Sequence, residues 1–325
     1  MNGILTRNLE PSEVQPSFGT TIKIGGQAKI WTIAFLVDGK HVVSGGDERK
    51  IRRWRVEDGM EVGTPMDAGS TVFNIAVSRD GKWIVNGTVG WVQVWDAENG
   101  EKVNKFAAHS NWVRAVDVSP DSMKVASGSD DQTACVWSMS TGQRLLGPWE
   151  HHSWVFAVKF SPDGRFIATA TEAHIRIYDS QDGNLVVEVP IGVAFSYNRS
   201  LAWSSDSKHI FTVYSSNITC LDAFTGATQW SIHCDESYDG LASDGGFIAA
   251  SSDSSISFWD ATTHERIGSV IQHTAKVWCM AILANHDIVI GGDKKITLGS
   301  LCNILPSSYC DTVSTFESRI RFVAQ

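Results

Sequence analysis

The chain has 325 residues, 42% of them hydrophobic and 19% charged, with a formal net charge of −9. That is enough apolar material for a sizeable core, and a diffuse acidic balance opposes nonspecific binding to nucleic acid or anionic membranes, which needs clustered Lys and Arg. No apolar run reaches the roughly 18 residues of a spanning helix, and the opening MNGILTRNLEPSEVQPSF has no secretory hydrophobic stretch, so residence in the cytoplasm or the nucleus is expected.

After a leader over residues 1–17, FGTTIKIGG (residues 18–26) predicts a strand. From there the chain repeats itself. The closing positions of successive copies are Trp54, Trp95, Trp137, Tyr178, Leu221, Trp259 and Gly299, about 41 residues apart. The third copy shows the unit in full. WVRAVDV, KVASGS, TACVW and RLLGPW are short β-branched and aromatic runs, divided by SPD, SDD and STG. LVDG, SRDG and SPDG recur at the first of these turns, and Asp-Gly is a strong hairpin signal. Each copy therefore predicts four strands in a meander. Runs such as RFIATA and DIVIGG are apolar on nearly every residue, which calls for sheets covered on both faces. The expected fold is all-β: a seven-bladed β-propeller of four-stranded antiparallel blades. The last copy has three clear strands, and an open edge would invite aggregation. Two segments compete for the vacant edge, residues 18–26 and the tail 301–325.

HSNWVRAVDVSPD…VASGSDDQTACVWS, with Trp95-Asp96 and Trp259-Asp260, resembles the WD40-repeat family over residues 18–300. The second, third and fourth copies match best. The later ones are eroded, with Leu221-Asp222 and Gly299-Ser300 standing where Trp-Asp would be. The resemblance implies seven blades and a ring closed by the N-terminal strand. It also implies a buried hydrogen-bonded chain, His109, Ser127, Asp131 and Trp137 in this sequence. The chemistry is consistent with that role: a buried indole N–H needs an acceptor, a hydroxyl can accept and donate, and an imidazole can pass the bond to a carboxylate. The trio resembles a hydrolase triad in its residue types only. Other copies are incomplete. The first has Ser44, Glu48 and Trp54 but Gly26 for His; the fourth has His151, Thr169 and Tyr178 without the Asp; the seventh keeps His273 and loses Trp.

The residue before the leading aliphatic of the first strand is Lys29, Thr71, Trp112, Trp154 and Lys276 in five of the copies, and Tyr197 is mapped to the same position in the fifth copy. In the family this position reaches the top rim around the channel. Trp112, Trp154 and Tyr197 are therefore candidate anchors for a partner, because large aromatics at a solvated edge suit binding hot spots. The competing reading is that the rings lie over neighbouring strands and seal gaps. Lys29 and Lys276 at the same position would favour an acidic or phosphorylated partner. The basic run ERKIRRWR, Glu48 to Arg55, is a second candidate surface, unless its stems cover apolar area and its heads stay in solvent.

No P-loop, G-x-S-x-G elbow, HExxH pair or EF-hand loop occurs. His151 and His152 are adjacent, a spacing that rarely aims two ligands at one metal. The six Cys form no CxxC pair and are expected to be small buried thiols. No cofactor, metal or catalytic residue is expected. The expected function is a non-enzymatic scaffold or adaptor that binds a protein or peptide through the top face as part of a larger complex, with no nucleic acid and no membrane as partner. The alternative is a propeller that binds a small molecule or glycan, or acts as an enzyme, through its central channel.

Overall fold

The computed structural model describes residues 20–23, 29–191, 200–214, 217–233, 240–243, 246–283, 287–293, 295–303 and 305. Strand β1 is Thr20–Lys23. A four-stranded sheet follows, with β2 (Ile30–Phe35), β3 (His41–Gly46), β4 (Lys50–Arg55) and β5 (Met66–Asp67) bonded in chain order. Then come β6 (Asn74–Val77), β7 (Trp83–Gly87), β8 (Val89–Asp96), β9 (Lys102–Val118), β10 (Lys124–Ser129), β11 (Thr133–Ser138) and β12 (Arg144–Glu150), all in one seven-stranded sheet. The next four-stranded sheet is β13 (Ala157–Phe160), β14 (Phe166–Ala170), β15 (His174–Asp179) and β16 (Leu185–Pro190). Its successor is β17 (Leu201–Trp203), β18 (His209–Tyr214), β19 (Asn217–Asp222) and β20 (Thr228–His233). Another is β21 (Gly240–Ser243), β22 (Phe247–Ser252), β23 (Ser255–Asp260) and β24 (Arg266–Gln272). The last comprises β25 (Val277–Ile282), β26 (Asp287–Gly292), β27 (Lys295–Ser300) and β1.

The sheets form a β-propeller. Inner strands β2, β6, β9, β13, β17, β21 and β25 meet one another in that order, and β25 meets β2. The predicted division into seven separate blades needs correction. Five four-stranded sheets stand alone, while the second and third copies share the seven-stranded sheet. The cause is β9. Its first part pairs outward with β8, from Lys102 opposite Trp95 to Trp112 opposite Val89; its last part pairs with β10, from Val113 opposite Ser129 to Val118 opposite Val125. The connecting residues AAHSNW contain no Gly or Pro to end the strand.

The edge of the last sheet is taken by β1, antiparallel to β27 with Thr20 opposite Leu298 and Lys23 opposite Lys295. The competing tail from residue 306 onward lies outside the described residues. The first and last sheets share one apolar cluster, in which Ile30, Ile33, Phe35 and Val42 pack with Val289, Ile296 and Leu298. The predicted Asp-Gly turns place Gly39, Gly81 and Gly164 at φ of 64°, 74° and 74°, where a side chain would be strained.

Neighbouring copies lock by one contact repeated at four junctions. A glycine near the end of a second strand receives the leading aliphatic residue of the next copy. A Cβ on Gly45 would sit 2.6 Å from Val72, one on Gly128 2.6 Å from Val155, and one on Gly87 2.8 Å from a Val113 methyl; on Gly291 it would sit 3.1 Å from Ile30, which is the contact that closes the ring. Val72, Val113 and Val155 are fully buried, so they have no room to retreat. Gly128→Ala is therefore expected to destabilise the protein by about 1–3 kcal/mol through overpacking. In urea titrations, Val155→Ala in the same chain should recover part of that loss; additive losses would show that the two sites do not share this contact.

Candidate functional site

The inner strands enclose a cavity of about 590 Å³ along the propeller axis. Strand alternation sends every second residue into it. At the mouth reached by the beginnings of these strands, the side chains are Trp31, Phe73, Arg114, Phe156 and Trp278. Each directly follows its copy's leading aliphatic residue.

Three of the five are aimed by β-bulges. Ile30 pairs with Gly46 and Thr32 with Gly45, leaving Trp31 as the extra residue. Arg114 is extra between Val113 and Ala115, and Trp278 between Val277 and Cys279. A bulge leaves one residue unpaired and turns its side chain away from the ladder. In all three copies an Asp just past the second strand then holds that side chain. Trp31 donates its indole N–H to Asp47 Oδ1 at 2.7 Å, and Trp278 donates to Asp293 Oδ1 at 2.7 Å. Arg114 donates Nε to Asp130 Oδ1 and Nη2 to Asp130 Oδ2, both at 2.8 Å. Sequence reading passed over these five residues. The triplets Gly45-Gly46-Asp47, Gly128-Ser129-Asp130 and Gly291-Gly292-Asp293 are the signal that could have found three of them.

Four of the predicted rim residues touch side chains that line this mouth. Trp112 is 41% exposed and stacks on Phe73, with ring centroids 5.0 Å apart at 21°. Trp154 is 37% exposed and meets Phe156 edge-on at 6.1 Å. The Arg114 guanidinium ties them together, 4.7 Å from the Trp112 ring, 5.2 Å from Phe73 and 5.8 Å from Trp154. The rings thus pack on neighbours and still face solvent. Lys29 and Lys276 gather elsewhere on the mouth, their ammonium groups 4.7 Å and 4.8 Å from the Trp278 ring, and Trp31 lies 5.0 Å from Trp278. Tyr197 lies outside the described residues.

The basic run is largely engaged internally. Arg52 bonds Glu48 and Glu61, each at 2.8 Å. Arg53 crosses to the next copy and donates to the carbonyls of Ala97 and Glu98. Arg55 pairs with Asp58 at 2.7 Å. Within the channel, Asp117 gives one oxygen to Lys159 at 3.0 Å and the other to the Phe160 amide at 2.8 Å. Among the described residues no group of three or more His, Cys, Asp or Glu could hold a metal ion.

The structure brings His109, Ser127, Asp131 and Trp137 together. Asp131 accepts at 3.0 Å, so His109 Nδ1 carries the proton. His109 Nε2 lies 2.7 Å from Ser127 Oγ, and Ser127 accepts from the Trp137 indole at 2.7 Å. Asp131 also accepts from the Ser110 amide and both donors of Thr133. These bonds hold its carboxyl well below the usual carboxylate range, against the opposing effect of burial. The distances match a hydrolase triad as well as the residue types do. Ser127, however, is fully buried beneath Trp137, so no substrate reaches its hydroxyl.

Other copies keep pieces. Trp54 donates to Ser44 at 2.9 Å, whereas Glu48 turns to Arg52 instead of joining them. Trp95 donates to Asn86 at 2.7 Å. His273 bonds Thr297 at 2.9 Å without a Trp. His151 is buried beside Arg176, and its Nε2 has no partner among the described residues. Burial foremost, then the Arg176 charge, push its pKa down from 6.5 to about 4.

Two acid-labile windows follow. His151 is neutral in the fold, so its contribution is complete above its ordinary pKa of 6.5 and declines as pH falls toward about 4. Asp131 contributes above its ordinary value of 3.8 and loses that contribution as pH drops further. In urea midpoints measured across pH, His151→Gln should flatten the upper window and Asp131→Asn the lower one. Asp131→Asn should also cost about 1–3 kcal/mol at neutral pH, because it disturbs a buried network. Unchanged slopes in both variants would remove these groups as the cause.

The model of the WD domain, G-beta repeat, matches residues 19–55, 100–138 and 143–179. WD repeat-containing protein SL1-17 of Schistosoma mansoni is 33% identical over 109 residues, covering 33% of this chain and 36% of that protein. Autophagy-related protein 16 of Arabidopsis thaliana is 30% identical over 263 residues, covering 76% of this chain and 50% of that protein. Apoptotic protease-activating factor 1 of Homo sapiens is 29% identical over 107 residues, 32% of this chain and 8% of that protein. The chain thus spans half or less of the length of these relatives.

Proposed function

We propose that this chain, which belongs to the WD40-repeat family, is a non-enzymatic scaffold that seats a protein or peptide partner on the aromatic mouth of its channel. The observation that carries this reading is the pair of Trp112 and Trp154, each more than a third exposed and linked through Arg114. Amphipathic rings held in fixed positions at a cavity mouth supply contact area at little entropic cost. Counting β9 as shared between two blades makes the scaffold seven-bladed, with β1 closing the ring. The channel favours a docking role over chemistry, because Asp117 has both oxygens engaged and no second carboxylate lines the cavity among the described residues. The free thiols Cys135, Cys220, Cys279 and Cys302 suit a reducing compartment, cytoplasm or nucleus.

Replacing Trp112 and Trp154 together with Ala tests this reading. Affinity capture from the source cell, read by mass spectrometry, should lose its specific partners with the double variant while circular dichroism stays that of the folded protein. Arg49→Glu/Lys50→Glu should retain those partners. Partners that persist with the aromatic variant and vanish with the charge variant would place the surface on the basic run instead.

A further inference from the structure

A guanidinium carries five N–H donors in a planar fork and no acceptor. Asp130 takes two from Arg114, one on Nε and one on Nη2. Those two bonds fix the plane of the group and occupy its side edge. The end-on edge, with one Nη1 hydrogen and the second on Nη2, has no partner among the described residues, and neither has the remaining Nη1 hydrogen. Arg114 lines the channel mouth, its side chain is 21% exposed, and Phe73, Trp112 and Trp154 surround it. The result is an oriented, half-desolvated donor fork with aromatic walls. Such a fork pairs best with two oxygens in one plane.

The charge balance narrows the choice of anion. Asp130 already offsets the guanidinium, and the chain carries −9 overall. A phosphate would bring about −1.5 to −2 to that place. Lys29 and Lys276 are placed at Trp278, on the β2 and β25 side of the ring, so they do not reinforce Arg114. A single carboxylate suits this balance better than a dianion. Resting on the scaffold reading above, we infer that Arg114 receives one Asp or Glu carboxylate of a partner peptide, end-on, while an adjacent apolar side chain of that peptide lies against Trp112 and Trp154. The selected partner is an acidic-aromatic peptide segment rather than a phosphorylated one.

The test uses the full chain and an array of short peptides in matched triplets. Members of a triplet differ only at a central Glu, Gln or phosphoserine, with an aromatic residue two positions away. Binders are re-measured by fluorescence polarisation. The wild type should bind Glu members about tenfold more tightly than their Gln partners, the size expected of one charge-assisted pair. Arg114→Gln should bind Glu and Gln members alike. Because that change strips Asp130 of its partner, Arg114→Gln/Asp130→Asn is measured beside it and should behave the same. The double aromatic variant should lose both members. Binding that needs Trp112 and Trp154 but shows no Glu preference overturns the carboxylate assignment and leaves the scaffold reading standing. Preference for phosphoserine over Glu also overturns it. Failure of every triplet on the folded wild type would count against both.

Discussion

Four of the inner strands crowd toward the axis where the strand behind presents no side chain as the next copy arrives. Gly45, Gly87, Gly128 and Gly291 satisfy that constraint, and Val72, Val113, Val155 and Ile30 fill the space they leave. The contact is non-directional burial combined with close packing, so it tolerates large changes elsewhere in each copy. It also sets where the inner strands begin. The leading aliphatic residue is fixed in its slot, so the next residue must be the one that faces the mouth. Trp31, Phe73, Arg114 and Phe156 thus owe their placement to a contact made one position earlier.

Hydrogen-bonded networks are subordinate to that packing. The third copy has the whole chain from Trp137 to Asp131, while the second keeps an indole bonded to Asn86 and the seventh keeps only His273 on Thr297. The fourth copy has substituted stacking, with Tyr178 on Trp149 at 4.1 Å and 7°. Its His151 remains as a buried group with one nitrogen unsatisfied. An isolated polar remnant costs stability, whereas a network replaced as a unit by apolar contact need not. The glycine contact joins the first four copies to one another and the last copy to the first regardless, which is what a fold carried by burial between copies predicts.

The repeat period, the four-strand unit and the Asp-Gly turns are legible in the sequence because each depends on local chemistry: alternation, glycine at positive φ, and spacing. The channel mouth was less legible. Lys29, Trp112, Trp154 and Lys276 do not line the cavity; the residues that face it lie two positions further along. Period-two counting gives that direction only where pairing is regular. At Trp31, Arg114 and Trp278 a bulge resets it, and a bulge is a relation between two strands rather than a property of either. The joined seven-stranded sheet was hidden for a related reason. Whether β9 continues through AAHSNW depends on both its partners, and nothing within that segment marks the change from β8 to β10.

The bulge-and-acid arrangement also explains how one mouth can carry unlike groups in equivalent places. Asp47, Asp130 and Asp293 occupy the same position in their copies and accept from whatever donor the bulge presents. An indole has a single N–H, so Trp31 and Trp278 exhaust their polar capacity on their acids and show the mouth only apolar surface. Arginine has donors to spare. The same clamp that merely immobilises the two indoles therefore leaves Arg114 oriented and still able to bind. Replacement of one residue at one of three equivalent positions is enough to turn a structural clamp into a recognition group, with no change in the surrounding fold. The rim tryptophans add to this effect. Their rings, 4.7 Å and 5.8 Å from the guanidinium, displace part of the water around it, which strengthens its pull on an anion.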